Sequence, residues 1–227
     1  MYNYFPGLIW QINTVLLIVT IFLSAGIVIY AGVRNFFIKI RAGNLIKIRE
    51  NLRSLAFSGK ETVAQTCPPL LKNVSVEQFF NILKQRQEIL PKGFEKELRD
   101  CFIASGKISE IEKFARSAHN KWRKIQAIIC LGYTGSASAT EILKKTLQDR
   151  DEDISYYSML ALAEIKSRPS AKILLDFLEK NPFRSYKIIS LFQQFPSKII
   201  DEVIRPSGSK NADLRLWLAK IKKTNNE

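Results

Sequence analysis

Apolar and polar positions follow three successive patterns along the chain. From Val15 to Val33 the run VLLIVTIFLSAGIVIYAGV holds nineteen residues with only Thr, Ser and Tyr as polar interruptions. At 1.5 Å per residue, a helix of that length is about 28 Å long, close to a bilayer hydrocarbon core of about 30 Å. Residues 1–33 contain no charged side chain, and Trp10 and Tyr30 stand near the ends of the run, where amphipathic rings favour an interface. A single transmembrane helix is expected, in preference to a buried core helix. A cleaved secretory leader starts with a basic segment, and no Lys or Arg precedes this run.

Residues 36–57, FFIKIRAGNLIKIRENLRSLAF, switch to a helical period. Phe37, Ile38, Leu45, Ile48, Leu52 and Leu55 share one arc, with Lys39, Arg49, Glu50 and Arg53 opposite. Such a basic amphipathic helix has two readings. It lies along the inner leaflet, each cation contributing about 1 kcal/mol against anionic lipid, or it continues the span and packs on the following domain through the same apolar face. Gly43-Asn44 is a candidate break. Seven basic residues against Glu50 give residues 34–60 a charge of +6. The positive-inside bias then places the N-terminus outside and residue 34 onward in the cytosol, with the protein single-pass in the cytoplasmic membrane. Arg34, Lys39, Arg41, Lys47, Arg49 and Arg53 are candidate lipid-headgroup contacts. Residues 58–74 carry Pro68-Pro69 and little periodicity; a linker is expected, with Cys67 in an extended loop.

From residue 75 the chain reads as short amphipathic helices with start and stop signals. Capping boxes are expected at Ser75-Val76-Glu77-Gln78, Ser109-Glu110-Ile111-Glu112 and Ser138-Ala139-Thr140-Glu141. Ser167 precedes a helix with Pro169 in its first turn, and Asn181 precedes Pro182. No strand alternation is present. The expected class is all-α, with 1–33 as terminus and span, 34–74 as juxtamembrane helix and linker, and 75–227 as a stack of helical hairpins. Self-similarity supports the stack: Ile125–Leu147 aligns with Tyr156–Leu178 at an offset of 31 without a gap. Leu131 meets Leu162, Gly132 meets Ala163, and Ile142, Leu143 and Leu147 meet Ile173, Leu174 and Leu178. Small residues such as Gly132 are expected to let the two helices of a hairpin cross closely. A degraded copy follows in Tyr186–Ile204, and an upstream copy is expected in Phe94–Ala118.

The first helix, W-R-K-I-Q-A-x-x-x-L-G from Trp122, and the second, A-x-x-I-L-x-x-x-L from Ala139, resemble HEAT repeats, in the short form known from phycobilisome lyases. The resemblance covers residues 94–204 and is good over 121–180. It implies superhelical stacking and a scaffold role. The family's Asp has counterparts in Asp149, Asp151 and Asp153, whereas its usual Arg is replaced by Ser155-Tyr156. Bacterial membrane-anchored proteins of this build imply accessory subunits beside membrane glycosyltransferases.

Composition narrows the function. One histidine in 227 residues excludes sites built on two imidazoles, and Cys67, Cys101 and Cys130 form no CxxC and fit a reduced compartment. Cys130 to Ser136 lacks the phosphate-loop pattern and follows a helix, so it reads as a hairpin turn. No catalytic, cofactor or metal site and no small-molecule substrate is expected. The net charge is +14, of which residues 121–227 carry +7. Lys121, Arg123, Lys124, Arg184 and Lys187 are expected to form a basic stripe along one face, interleaved with Trp122, Tyr156, Tyr157, Phe183 and Tyr186, which are interface anchors if exposed and packing if buried. A membrane-associated protein partner with an acidic segment fits that stripe, alongside anionic lipid. The alternatives are nucleic-acid binding, which steep salt dependence would reveal and the anchor disfavours, and a lyase-type enzyme. Removal of residues 1–33 is expected to leave a soluble, highly helical domain; substantial sheet by circular dichroism would refute it.

Overall fold

The computed structural model describes residues 5–57, 60–86, 91, 93–181 and 190–204, and these are all-α. The helices are α1 (Phe5–Ala56), α2 (Lys60–Lys72), α3 (Val76–Lys84), α4 (Glu95–Ala104), α5 (Ile108–Ser117), α6 (Lys121–Thr134), α7 (Ala137–Thr146), α8 (Glu152–Ile165), α9 (Arg168–Lys180) and α10 (Ser197–Ile204). Two compact units are present, Met1–Asn51 and Leu52–Glu227.

The first unit is the greater part of α1, whose 52 residues extend about 78 Å. It is long and apolar enough to cross a membrane, with a mean hydropathy of 2.5 over its most apolar window. Its large apolar side chains from Val15 to Val33 are exposed. The polar interruptions are satisfied within the helix: Thr20 Oγ1 donates to the Leu16 carbonyl and Ser24 Oγ to the Thr20 carbonyl, each at 2.8 Å. Neither hydroxyl therefore needs water. The helix runs unbroken through Gly43-Asn44, so it continues past the apolar run instead of turning there.

In the second unit, Leu52 and Leu55 at the end of α1 are buried, whereas Phe37 and Ile38 earlier on the same arc are exposed. The segment expected as a linker is instead helix α2. Pro68 and Pro69 lie inside it and remove two helical hydrogen bonds. Burial outweighs that loss: Val63, Cys67 and Leu71 recur at every fourth position on one buried face, and α2 packs on α4. Cys67 is thus a fully buried helical residue, not an extended loop residue. Phe79 of α3 stacks on Phe102 of α4, ring centroids 3.4 Å apart, with Tyr133 of α6 meeting Phe79 edge-on.

The hairpins α6–α7 and α8–α9 repeat each other cap for cap. Asn120 and Asp151 cap the first helices through side-chain oxygens, Gly135 and Lys166 end them in the left-handed region at φ 64° and 51°, and Ser136 and Ser167 cap the second helices. Each pair is 31 residues apart, matching the offset of the sequence alignment. The Ser75 capping box forms as expected. Those expected at Ser109 and Ser138 do not. The left-handed turns at Gly106 and Gly135 start each helix earlier, so Lys107 and Ser136 take the cap positions. Asn181 ends α9, and Pro182 lies outside the described residues. Where the upstream copy was expected, α4 packs on α2 and α5 packs on α6; of the downstream copy, α10 packs on α9 and residues 182–189 lie outside the described set.

Gly132 has a different role from the one expected. A Cβ placed on it would lie 2.7 Å from Ala161 Cα, so the close approach joins α6 to α8, the first helices of successive hairpins, and not the two helices of one hairpin. Helix α8 is also tied to the end of α7. Ser155 Oγ donates to the Leu147 carbonyl at 2.8 Å, and Ser158 Oγ lies 2.7 Å from Thr146 Oγ1, all four residues being buried. Gly132→Ala is expected to destabilise the domain by about 1–3 kcal/mol, reversing the roughly 1 kcal/mol gain of that change in a free helix. Lys166→Gly, at the position Gly135 fills in the preceding hairpin, is expected to stabilise by about 1 kcal/mol. Urea denaturation checks both signs.

Candidate partner-binding surface

The surface forms where α5 ends and α6 begins. Ala118 leaves α5 in an extended conformation, and Asn120 Oδ1 accepts the Arg123 N–H at 3.2 Å to open α6. The turn between them leaves a groove of about 450 Å³ lined by Glu110, Lys113 and Phe114 of α5, exposed His119, and Arg123 of α6. Ile111 and Ala115 take the core stripe of α5, so Phe114 is one apolar position too many for the core and lies half-buried at the groove. Glu110 is held by Lys107 at 2.6 Å. Lys113 and Arg123 are exposed and make no ion pair among the described residues, so the groove's uncompensated charge is positive. Trp122 stands beside it with 64% of its surface exposed.

The expected basic stripe is distributed differently. Lys121 reaches Asp151 at 2.8 Å and Asp153 at 2.6 Å, and Lys124 reaches Asp149 at 2.6 Å. Both lysines therefore clasp the turn leading into the next hairpin. That turn is itself built on carboxylates: Asp149 Oδ1 accepts the Asp151 N–H, and Asp151 Oδ1 accepts the N–H groups of Asp153 and Ile154. The Lys124 ammonium holds the Asp149 carboxyl below the usual range, and Lys121 does the same for Asp151. Hydrogen bonds donated to Asp151 and then Asp153 raise Lys121 in return. Trp122 and Arg123 thus remain the outward-facing members of the run Lys121–Lys124. Tyr156 and Tyr157 on α8 meet edge-on at 5.7 Å, with Tyr156 38% exposed. Phe183, Arg184 and Lys187 lie outside the described residues. On α1, the candidate headgroup contacts Arg34, Lys39, Lys47 and Arg53 are exposed and Arg49 is half-buried; Arg41 belongs to the same helix.

The hairpin geometry and its 31-residue register agree with one family. Residues 108–190 match the family model for HEAT repeats. No curated protein and no solved structure matches the chain. The matched HEAT region runs from α5 through α9, so the groove and Trp122 lie inside it, whereas α1 to α4 precede it. Within it Ser155, at the position of the family's usual Arg, anchors the end of one hairpin to the start of the next. Among the described residues, no group of three or more His, Cys, Asp or Glu is arranged to hold a metal ion.

The Lys124–Asp149 pair is the less exposed of the clasps, and it generates a quantitative expectation. A cycle of Lys124→Met, Asp149→Asn and the double variant is expected to show coupling of about 0.5–1 kcal/mol at neutral pH. Depressed carboxylates contribute above their unfolded value of about 4 and lose that contribution as pH falls through the folded value. Raised Lys121 contributes below its unfolded value and is lost only as pH climbs through its higher folded one. The coupling should therefore persist at pH 7 and vanish in acid; urea denaturation at the two pH values checks it.

Proposed function

We propose that this protein is a membrane-tethered HEAT-repeat scaffold that holds a protein partner against the α5–α6 surface. HEAT repeats generally mediate protein binding, and stacked hairpins leave long helix faces free for it. The observation that carries the reading is Trp122, a large aromatic exposed on the first helix of a HEAT hairpin beside a groove of positive charge. Aromatic and Arg side chains in such positions supply most of the energy of protein interfaces. The tether is supported by α1, whose large apolar side chains from Val15 to Val33 are exposed and whose cations follow that length.

In its finer form, the N-terminus lies outside, the HEAT region lies in the cytosol, and Arg34, Lys39, Arg41, Lys47, Arg49 and Arg53 stand near anionic headgroups. The partner is membrane-associated with an acidic segment, as an accessory subunit beside a membrane glycosyltransferase would require. The role is binding and not catalysis, and the clasped state of Lys121 and Lys124 disfavours a continuous basic track for nucleic acid.

Affinity purification from detergent-solubilised membranes tests the partner surface. Trp122→Ala, at an exposed site, is expected to reduce the co-purifying protein about tenfold or more while leaving the helical signal intact. An unchanged set of partners would remove Trp122 from the interface. Protease applied to intact cells should spare the HEAT region; its digestion from outside would invert the topology.

A further inference from the structure

Two of the three cysteines belong to one place in the fold. Cys67 on α2 is fully buried and Cys101 on α4 is 4% exposed. Cys101 Sγ lies 3.8 Å from the Val63 carbonyl oxygen. In an α-helix that carbonyl is the acceptor for the N–H four residues on, which is that of Cys67. The two thiols therefore approach where α2 packs on α4, close enough to shift each other's ionisation in opposite directions. Cys130 is buried on α6 and shares no such contact.

The surroundings distinguish the two. A surface cavity of about 370 Å³ opens beside the pair, with Val63 and Pro68 of α2 and Asp100, Cys101 and Ala104 of α4 in its wall. Cys101 lines it; Cys67 lies behind. The bond from Cys67 holds the Cys101 thiol below its ordinary value, against the opposing effects of burial, Asp100 and Glu97. The same bond, followed by burial, pushes Cys67 up. Cys101 is thus both the reachable thiol and the more acidic one, the combination that favours attack on a disulfide.

We propose that Cys67 and Cys101 form a reversible disulfide by exchange with a low-molecular-weight disulfide of the glutathione class. The Cys101 thiolate attacks one sulfur of the reagent, forming a mixed disulfide and releasing the first reagent thiolate. The Cys67 thiolate then attacks Cys101 Sγ, forming the internal bond and releasing the second. Two protein thiols are oxidised, one reagent disulfide is reduced to two thiols, and the two protons leave with them. The product covalently joins α2, next after α1, to α4, which precedes the HEAT region, with α3 enclosed in the loop. Excess reduced thiol reverses both steps.

The test uses the full chain in detergent micelles, exposed to oxidised glutathione, alkylated while folded and mapped by peptide mass spectrometry. The expected product is a Cys67–Cys101 cross-linked peptide, with Cys130 unmodified by glutathione and the cross-link lost on adding dithiothreitol. Cys67→Ser should trap a stable glutathione adduct on Cys101, whereas Cys101→Ser should leave Cys67 without one. Cys130→Ser should not alter cross-linking. Near-ultraviolet circular dichroism of each variant checks that the fold is retained. A folded wild-type chain that takes glutathione without closing the pair, that stays fully reduced, or that joins Cys130 instead would overturn the proposal.

Discussion

Backbone resting on backbone between successive hairpins is the constraint on which the HEAT region depends. At Gly132 there is no room for a β-carbon beside Ala161, so α6 and α8 sit at the shortest spacing their main chains permit. That spacing brings Thr146 and Leu147, at the end of α7, within reach of Ser158 and Ser155. It also draws Asp149, Asp151 and Asp153 up to Lys121 and Lys124. Hydroxyls and ion pairs then lock a register that packing has already chosen. Buried hydroxyls would be unfavourable without those acceptors, so the polar seam and the close approach stand or fall together.

Different parts of this arrangement were legible in the sequence to different degrees. The apolar run of α1 announces itself because nineteen uncharged residues admit few alternatives. The 31-residue register was readable because each hairpin reuses the same caps, Asn120 with Asp151 and Ser136 with Ser167. Helix α2 was hidden by Pro68-Pro69, whose local propensity argues against a helix; its buried spacing of four, Val63, Cys67 and Leu71, is visible once one looks past the prolines. The start points of α5 and α7 slipped by two residues because left-handed glycines, not the serines further on, precede those helices.

The candidate surface was only partly legible. Trp122 and Arg123 stand out as an aromatic beside a cation, and the structure leaves both exposed. Lys121 and Lys124 look equivalent to Arg123 in one dimension, yet a helical turn sends them toward carboxylates contributed from beyond α7. Only folding reveals that partnership. The same holds for Phe114, an unremarked apolar residue until the α5–α6 turn opens a groove beside it, and for the approach of Cys67 to Cys101 across α3.

The matched caps have a consequence for how such a chain changes over evolutionary time. Because Asn120 and Asp151 begin their helices by the same bonds, excising or duplicating the stretch between them joins one legitimate junction to another. The reach of the array along whatever it grips is therefore adjustable in whole modules, while the greasy rod and the helices just behind it remain untouched.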